Sequence, residues 1–268
     1  GSMYRFCLPM IPNTVMWWVI GLSAGFFIEM FMDINQTGLY KAALRLPNII
    51  VIVSTIFSQA WNMSAITENN SRTVANFYTN VFSIFQSAIY IMAAGLLLLI
   101  RPALEIMTSA DFDNAYMISA ILTIAVVFSC FSTFAGSVYV ASKKSVRALL
   151  TSLVGAVMSV ALNLVFIPLW GLHGAAFSIL LSYLTMFVVR AVDTRKIVRM
   201  DLKLAKMLTN AAVLIAMCII VLTIRDNAVY YGVLGALFAV AVIINLRAGL
   251  NAVRLIFKKK PPHSAPPA

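Results

Sequence analysis

Lys41 and Arg45 stand one helical turn apart inside an apolar stretch, in the run Gly38-Leu-Tyr-Lys-Ala-Ala-Leu-Arg-Leu-Pro47-Asn-Ile-Ile. At a spacing of four residues both cations project from the same side of a helix. An ionised group at membrane depth is costly, and by default it faces a polar cavity or an anionic partner. The pair therefore predicts something negative on that side. The chemistry it offers is electrostatic: holding or passing an anion within a bilayer. The alternative is that the side chains snorkel to the headgroups, an alternative stronger for Lys41 than for Arg45. Glu29 precedes them and is either a proton or sodium site or an interfacial acid paired with one of the two cations.

No other constellation competes. The sequence offers no nucleophile-base pairing and no phosphate-cradling glycine loop. His173 and His263 are too few and too far apart to hold a metal. Cys7, Cys130 and Cys218 lie in separate apolar stretches and read as small core residues. An enzyme is not expected, nor a metal or other cofactor.

The elements that must position these groups follow from composition. The chain has 268 residues, 62% hydrophobic and 11% charged. A soluble domain carries about a quarter charged residues. An all-α polytopic membrane bundle is the fold class that accommodates this balance. The net charge of +11 does not imply nucleic acid, because in a membrane protein the placement of charge matters more than its sum. About eight spans are long enough to cross the hydrocarbon core. They cover roughly 4–33, 38–66, 74–100, 115–141, 146–167, 171–192, 207–224 and 228–246. Pro9, Pro12 and Pro47 mark kink sites in the first two spans.

Alternating the spans places 16 of the 20 lysines and arginines on the side holding both termini, Arg190 among them, and 4 on the other. The positive-inside rule puts the first side in the cytoplasm. Asp33, Glu105, Asp111, Asp113 and Asp226 gather opposite. The division expected is a six-span block over 4–192, a basic loop over 193–206, two further spans within 207–246 and a basic, Pro-rich tail over 247–268. The loop reads as a solvated connection, with a basic amphipathic helix on the inner leaflet as the alternative. The opening Gly1-Ser2-Met3 reads as a cloning scar or a cut from a longer chain, and no signal peptide is expected.

Two stripes of small residues predict helix contacts: Gly155, Ser159 and Asn163 on the fifth span, and Gly174, Ser178 and Ser182 on the sixth. Small residues on one face let membrane helices approach closely. The link Pro168-Leu-Trp-Gly171 is long enough only for an antiparallel hairpin. Gln59, Trp61 and Asn62 end the second span and form either a cavity-facing set or an interfacial belt. Trp17 and Trp18 offer either sugar stacking or plain packing. Asn13, beside Pro12, either satisfies the backbone freed by that proline or contacts substrate.

Several runs carry a resemblance. They are Leu8-Pro-Met-Ile-Pro-Asn-Thr-Val-Met-Trp-Trp18, Phe57-Ser-Gln-Ala-Trp-Asn-Met-Ser-Ala65, Tyr139-Val-Ala-Ser-Lys-Lys144 and Leu162-Asn-Leu-Val-Phe-Ile-Pro-Leu-Trp-Gly-Leu-His-Gly-Ala-Ala176. In order and spacing they resemble the C-terminal half of the polysaccharide flippases, which share a superfamily with the multidrug and toxin extrusion transporters. The resemblance covers 4–192, and the last two spans by position only. It implies two six-helix lobes around a cavity and alternating access. The cargo implied is an oligosaccharide linked through pyrophosphate to undecaprenol. It implies an inner-membrane location with cytoplasmic termini, contact with membrane lipids and a second lobe supplied by a partner or a longer chain. Arg45 falls where such flippases carry a basic residue after the Gly-x-Tyr turn. The resemblance implies substrate binding by Arg45 and Lys41; the types and positions of Gln59, Trp61 and Asn13 add these three as substrate-binding candidates. Many relatives have Asp-Arg where this chain has Ala24-Gly25, so the acids left as ion-coupling candidates are Glu29 and Asp33. Two rivals stand beside this expectation: a small-molecule exporter of the same superfamily, and a non-transporting membrane scaffold or orphaned half.

Overall fold

A computed structural model describes the backbone over residues 2–67, 71–107, 115–224 and 227–257, with side chains over 7–60, 75–104, 115–224 and 228–246. Apart from short connections, the described residues are helical, in the order α1 Ser2–Phe31, α2 Ile34–Thr67, α3 Ser71–Met107, α4 Ala115–Ala141, α5 Ser145–Arg195, α6 Leu204–Thr223 and α7 Asn227–Phe257. Among the described residues, seven helices are long and apolar enough to span a membrane. The chain is a polytopic helical bundle.

α5 is 51 residues long, about twice what a bilayer needs. It is two crossings, because Gly171 breaks it with φ 57° and ψ −134°, a backbone conformation that side chains resist. The two arms fold back on each other. Arg147 meets Asp193, Thr151 meets Arg190, and Gly155 lies against Met186. Near the turn, a Cβ on Gly174 would collide with the carbonyl of Phe166. Each pair is almost equally distant from Gly171, which is the signature of an antiparallel hairpin. Eight crossings result.

α4 is the axis. It is apolar on all sides, as a fully surrounded helix is, and nearly all of it is buried. It packs against α2, α3, α5 and α6. Phe131 and Phe134 of α4 meet Phe82 and Phe85 of α3, with ring centroids 5.1–6.3 Å apart. α1 lies chiefly on α5 and α2 on α4. The turn joining α1 to α2 is only Met32 and Asp33, yet the two helices touch lightly beyond it.

The small-residue stripe of the first α5 arm faces α1. Ser159 and Ser23 share a hydrogen bond of 3.0 Å, and Asn163 Nδ2 donates to Ser23 at 3.0 Å. Gly155 admits both Ile20 of α1 and Met186 of the second arm. Gly174, Ser178 and Ser182 are buried on the second arm. So the two stripes serve the hairpin and also the seat of α1.

The linker between α5 and α6 is a non-helical connection with Lys196, Arg199 and Asp201 exposed, not an amphipathic helix, and it is also anchored to the bundle. Met200 and Leu202 are buried, the Asp201 backbone N–H donates to Thr79 Oγ1, and Lys203 and Lys206 donate to Ser83 and Ser87 of α3. The apolar residues between the charges anchor the segment along α3. α6 and α7 are likewise fastened to the block. Arg101 Nη2 donates to the Val221 and Ile224 carbonyls at the end of α6, and its guanidinium lies 3.7 Å from the Tyr230 ring. Cations are favoured at that helix end. Asn210 and Asn245 exchange amide hydrogen bonds of 3.2 and 2.7 Å between α6 and α7. Two smaller differences remain. Cys7 is exposed, whereas Cys130 and Cys218 are buried as expected. α7 runs on to Phe257, into the stretch read as tail.

Candidate functional site

α2 begins at Ile34, earlier than the hydrophobic pattern suggests, because Asp33 caps it. Asp33 Oδ1 accepts from the Ile34 N–H at 2.7 Å and Oδ2 from Asn35 Nδ2 at 3.0 Å. A carboxylate is favoured at a helix N-terminus. This one is exposed, and both its oxygens are engaged.

Counting from that cap sets the depth of the cations. The apolar span of α2 runs Ile34–Ala60. Arg45 is about 16 Å from its first residue and about 22 Å from its last, at 1.5 Å per residue. Where a hydrocarbon core of about 30 Å falls within this span, the Arg45 backbone lies inside the apolar layer. Lys41, about 10 Å from the same end, is within reach of the headgroups. Both are exposed on one stripe that continues through Ile52, Ile56 and Gln59. The exposed stripe of α1, by contrast, is Trp18, Leu22, Phe26 and Met30. Among the described residues Lys41 and Arg45 are the exposed charges set farthest from a span end.

No acid of the described residues answers them. The one ion pair there within 4.0 Å joins Arg147 to Asp193 at 3.0 Å. Glu29 is exposed on α1, two residues from the end of its span, and pairs with neither Lys41 nor Arg45. The side chains of Trp61, Asn62 and Glu105, together with Asp111, Asp113 and Asp226, lie outside the described residues.

A second cationic site escaped the sequence reading. Arg190, counted there among the loop-flanking charges, is 2% exposed and points into the bundle. Its Nε donates to Thr151 Oγ1 at 3.1 Å, Nη1 to the Ser132 carbonyl at 2.8 Å and Nη2 to Ser152 Oγ at 2.7 Å. Ser152 Oγ passes the chain on to Asn13 Oδ1 at 2.6 Å. So Asn13 ties α1 to α5. The Trp17 ring covers the guanidinium at 5.4 Å. Gly136 makes room for it, since a Cβ there would stand 2.8 Å from Nη1. Beside this group is a cavity of about 280 Å³ lined by Asn13, Trp17, Ser58, Thr133, Ser137 and Arg190. A signal for Arg190 existed. The stripe Gly174, Ser178, Ser182, continued in steps of four, reaches Met186, Arg190 and Thr194, and all six are buried.

A larger hollow of about 560 Å³ lies between the α5 arms, walled by Leu150, Val154, Val188 and Val192. Its charges are Arg147, paired with Asp193 at 3.0 Å, and Lys196. It brings none of the sequence-predicted binding residues together.

The sequence matches no protein-family model and no curated protein. Two solved structures share the fold. One is a multidrug-resistance MATE family transporter of the MOP superfamily in an outward-facing conformation, with a TM-score of 0.58 and 13% identity. The other is a MOP superfamily transporter from Pyrococcus furiosus, described as having a binding pocket of reversed polarity that suggests a different function, with a TM-score of 0.55 and 14% identity. Each comparison covers 94% of this chain and 64% of the transporter, so the chain spans less than two thirds of either neighbour's length.

Proposed function

We propose that this chain forms one lobe of an alternating-access membrane transporter whose cargo is anionic, namely a lipid-linked oligosaccharide carried on a pyrophosphate. The observation that carries this reading is Arg45: exposed, within the apolar layer, and unanswered by any described acid. Facing lipid, such a guanidinium would be strongly disfavoured; facing a polar cavity closed by a second lobe, it is at home and selects negative cargo. The likeness to two MOP superfamily transporters, of which this chain covers 64%, supports a transporter whose path needs more than this chain. The proposed placement is the bacterial cytoplasmic membrane with both termini inside. Arg45 then lies in the outer half of the path, with Lys41 nearer the exit and Gln59 toward the cytoplasm.

The MATE likeness favours a second reading, a small-molecule exporter. An exporter of cations would want acids where this lobe presents Lys41 and Arg45, so charge argues for the first. The test is flipping of a fluorescent lipid-linked oligosaccharide in proteoliposomes holding the complete two-lobe assembly. Arg45→Ala should slow flipping at least about tenfold with unchanged protein yield, given the strength of charge-assisted bonds. Arg45→Lys should retain a large part. Unaltered flipping in Arg45→Ala would remove the assignment, and altered drug susceptibility in its place would favour the exporter.

A further inference from the structure

We propose that the Arg190 cavity is a phosphate-binding site, distinct from the Lys41 and Arg45 stripe and independent of whether the chain transports anything. Arg190 has five N–H donors, and neutral partners engage three nitrogens with one bond each. Those partners satisfy donors but cannot neutralise the charge. A buried charge left uncompensated is strongly disfavoured, and it is made tolerable by an opposite charge in contact. Among the described residues no carboxylate lies within 4.0 Å of Arg190, and the acid one turn further along, Asp193, is bound to Arg147.

The cavity beside the guanidinium is built to receive an oxyanion. Its lining holds one cation and no acid. Ser58 Oγ is buried there without a hydrogen-bond partner. Asn13 accepts through Oδ1 from Ser152, and no hydrogen bond among the described residues engages its Nδ2. The Thr133 hydroxyl on the same wall already donates to the Ser129 carbonyl, so it is not one of these donors. A guanidinium fork with converging hydroxyl and amide donors matches the several oxygens of a phosphate. The volume of about 280 Å³ exceeds what one phosphate fills, leaving room for a substituent. Met10, Val140 and Ala148, which complete the wall, come from the terminus-bearing ends of α1, α4 and α5, so the site is reached from that end. The phosphate is supplied either free in solution or as the headgroup of a prenyl phosphate lipid.

Two titrations of the purified chain in neutral nanodiscs separate the sources, one with inorganic phosphate and one with farnesyl phosphate. Trp17 emission is read as the difference between wild type and Trp17→Phe. Saturable binding is expected in at least one arm, and the arm that saturates identifies the source. Arg190→Gln should weaken it at least about tenfold, and Ser58→Ala, which leaves the Arg190 bonds intact, about tenfold. Lys196→Ala, a cation at the same end outside this cavity, should leave it unchanged. If Arg190→Gln fails to fold, Ser58→Ala decides. Saturation in neither arm, or equal affinity in wild type and Ser58→Ala, would overturn the proposal.

Discussion

Gly136→Ala adds one methyl group and should destabilise the bundle through Arg190. The new Cβ would stand 2.8 Å from Nη1, closer than real Cβ contacts allow. The guanidinium has little freedom to retreat, because Thr151, Ser132 and Ser152 hold it on three nitrogens and Trp17 covers its face. Displacement by several tenths of an ångström stretches the 2.8 Å bond from Nη1 to the Ser132 carbonyl toward its limit. Losing a hydrogen bond to a charged group costs about 1.5–3 kcal/mol. Alanine in place of glycine returns about 0.5–1 kcal/mol within a helix. The net expectation is a loss of about 0.5–2.5 kcal/mol. The assay is reversible unfolding in mixed micelles with increasing denaturing detergent. Gly21→Ala is the matched control, since a Cβ there meets nothing within 4 Å, and it should be neutral or slightly stabilising. In an Arg190→Met background the penalty of Gly136→Ala should vanish, because the two residues act as a pair. Gly136→Ala as stable as Gly21→Ala, or a penalty that persists without Arg190, would refute the reasoning.

Three further outcomes follow from the packing. Gly174→Ala should prevent correct closure of the α5 hairpin, because its Cβ collides with the rigid Phe166 carbonyl; limited proteolysis of expressed protein should show a non-native pattern. Asn210→Ala and Asn245→Ala should each cost about 0.6–2 kcal/mol, and the double variant little more than either, as unfolding of the set would show. Arg101→Ala should release α6 and α7 from the block by removing both carbonyl contacts and the Tyr230 stacking; faster hydrogen exchange confined to those two helices is the expected sign.

Much of the fold is legible in the chain because span length is a solvent constraint, and apolar runs of the required size announce themselves. The hairpin was legible too, since four residues between two runs leave no other geometry and Gly171 supplies the turn. The start of α2 was not, because Asp33 and Asn35 form a cap whose polarity hides it from a hydropathy pattern. The anchoring of the α5–α6 linker was hidden for a related reason. Its exposed charges read as a solvated loop, while Met200 and Leu202 between them are buried. Arg45 and Lys41 were singled out by charge within an apolar run, and the structure places them on one exposed stripe. Arg190 was missed because a cation near a span end is ordinary in sequence. Only the neighbouring arm, returning with Thr151 and Ser152, shows that it points inward.

The polar surroundings of Arg45 are tested most directly by cysteine labelling in the complete two-lobe assembly, in a background with Cys7→Ser. Arg45→Cys and Leu22→Cys, both exposed at similar depth on neighbouring helices, are treated with a charged, membrane-impermeant thiol reagent. Arg45→Cys should label, at a rate slowed by added lipid-linked oligosaccharide, while Leu22→Cys stays unreactive in lipid. An Arg45→Cys as inert as Leu22→Cys would contradict a water-filled, anion-selecting path along α2.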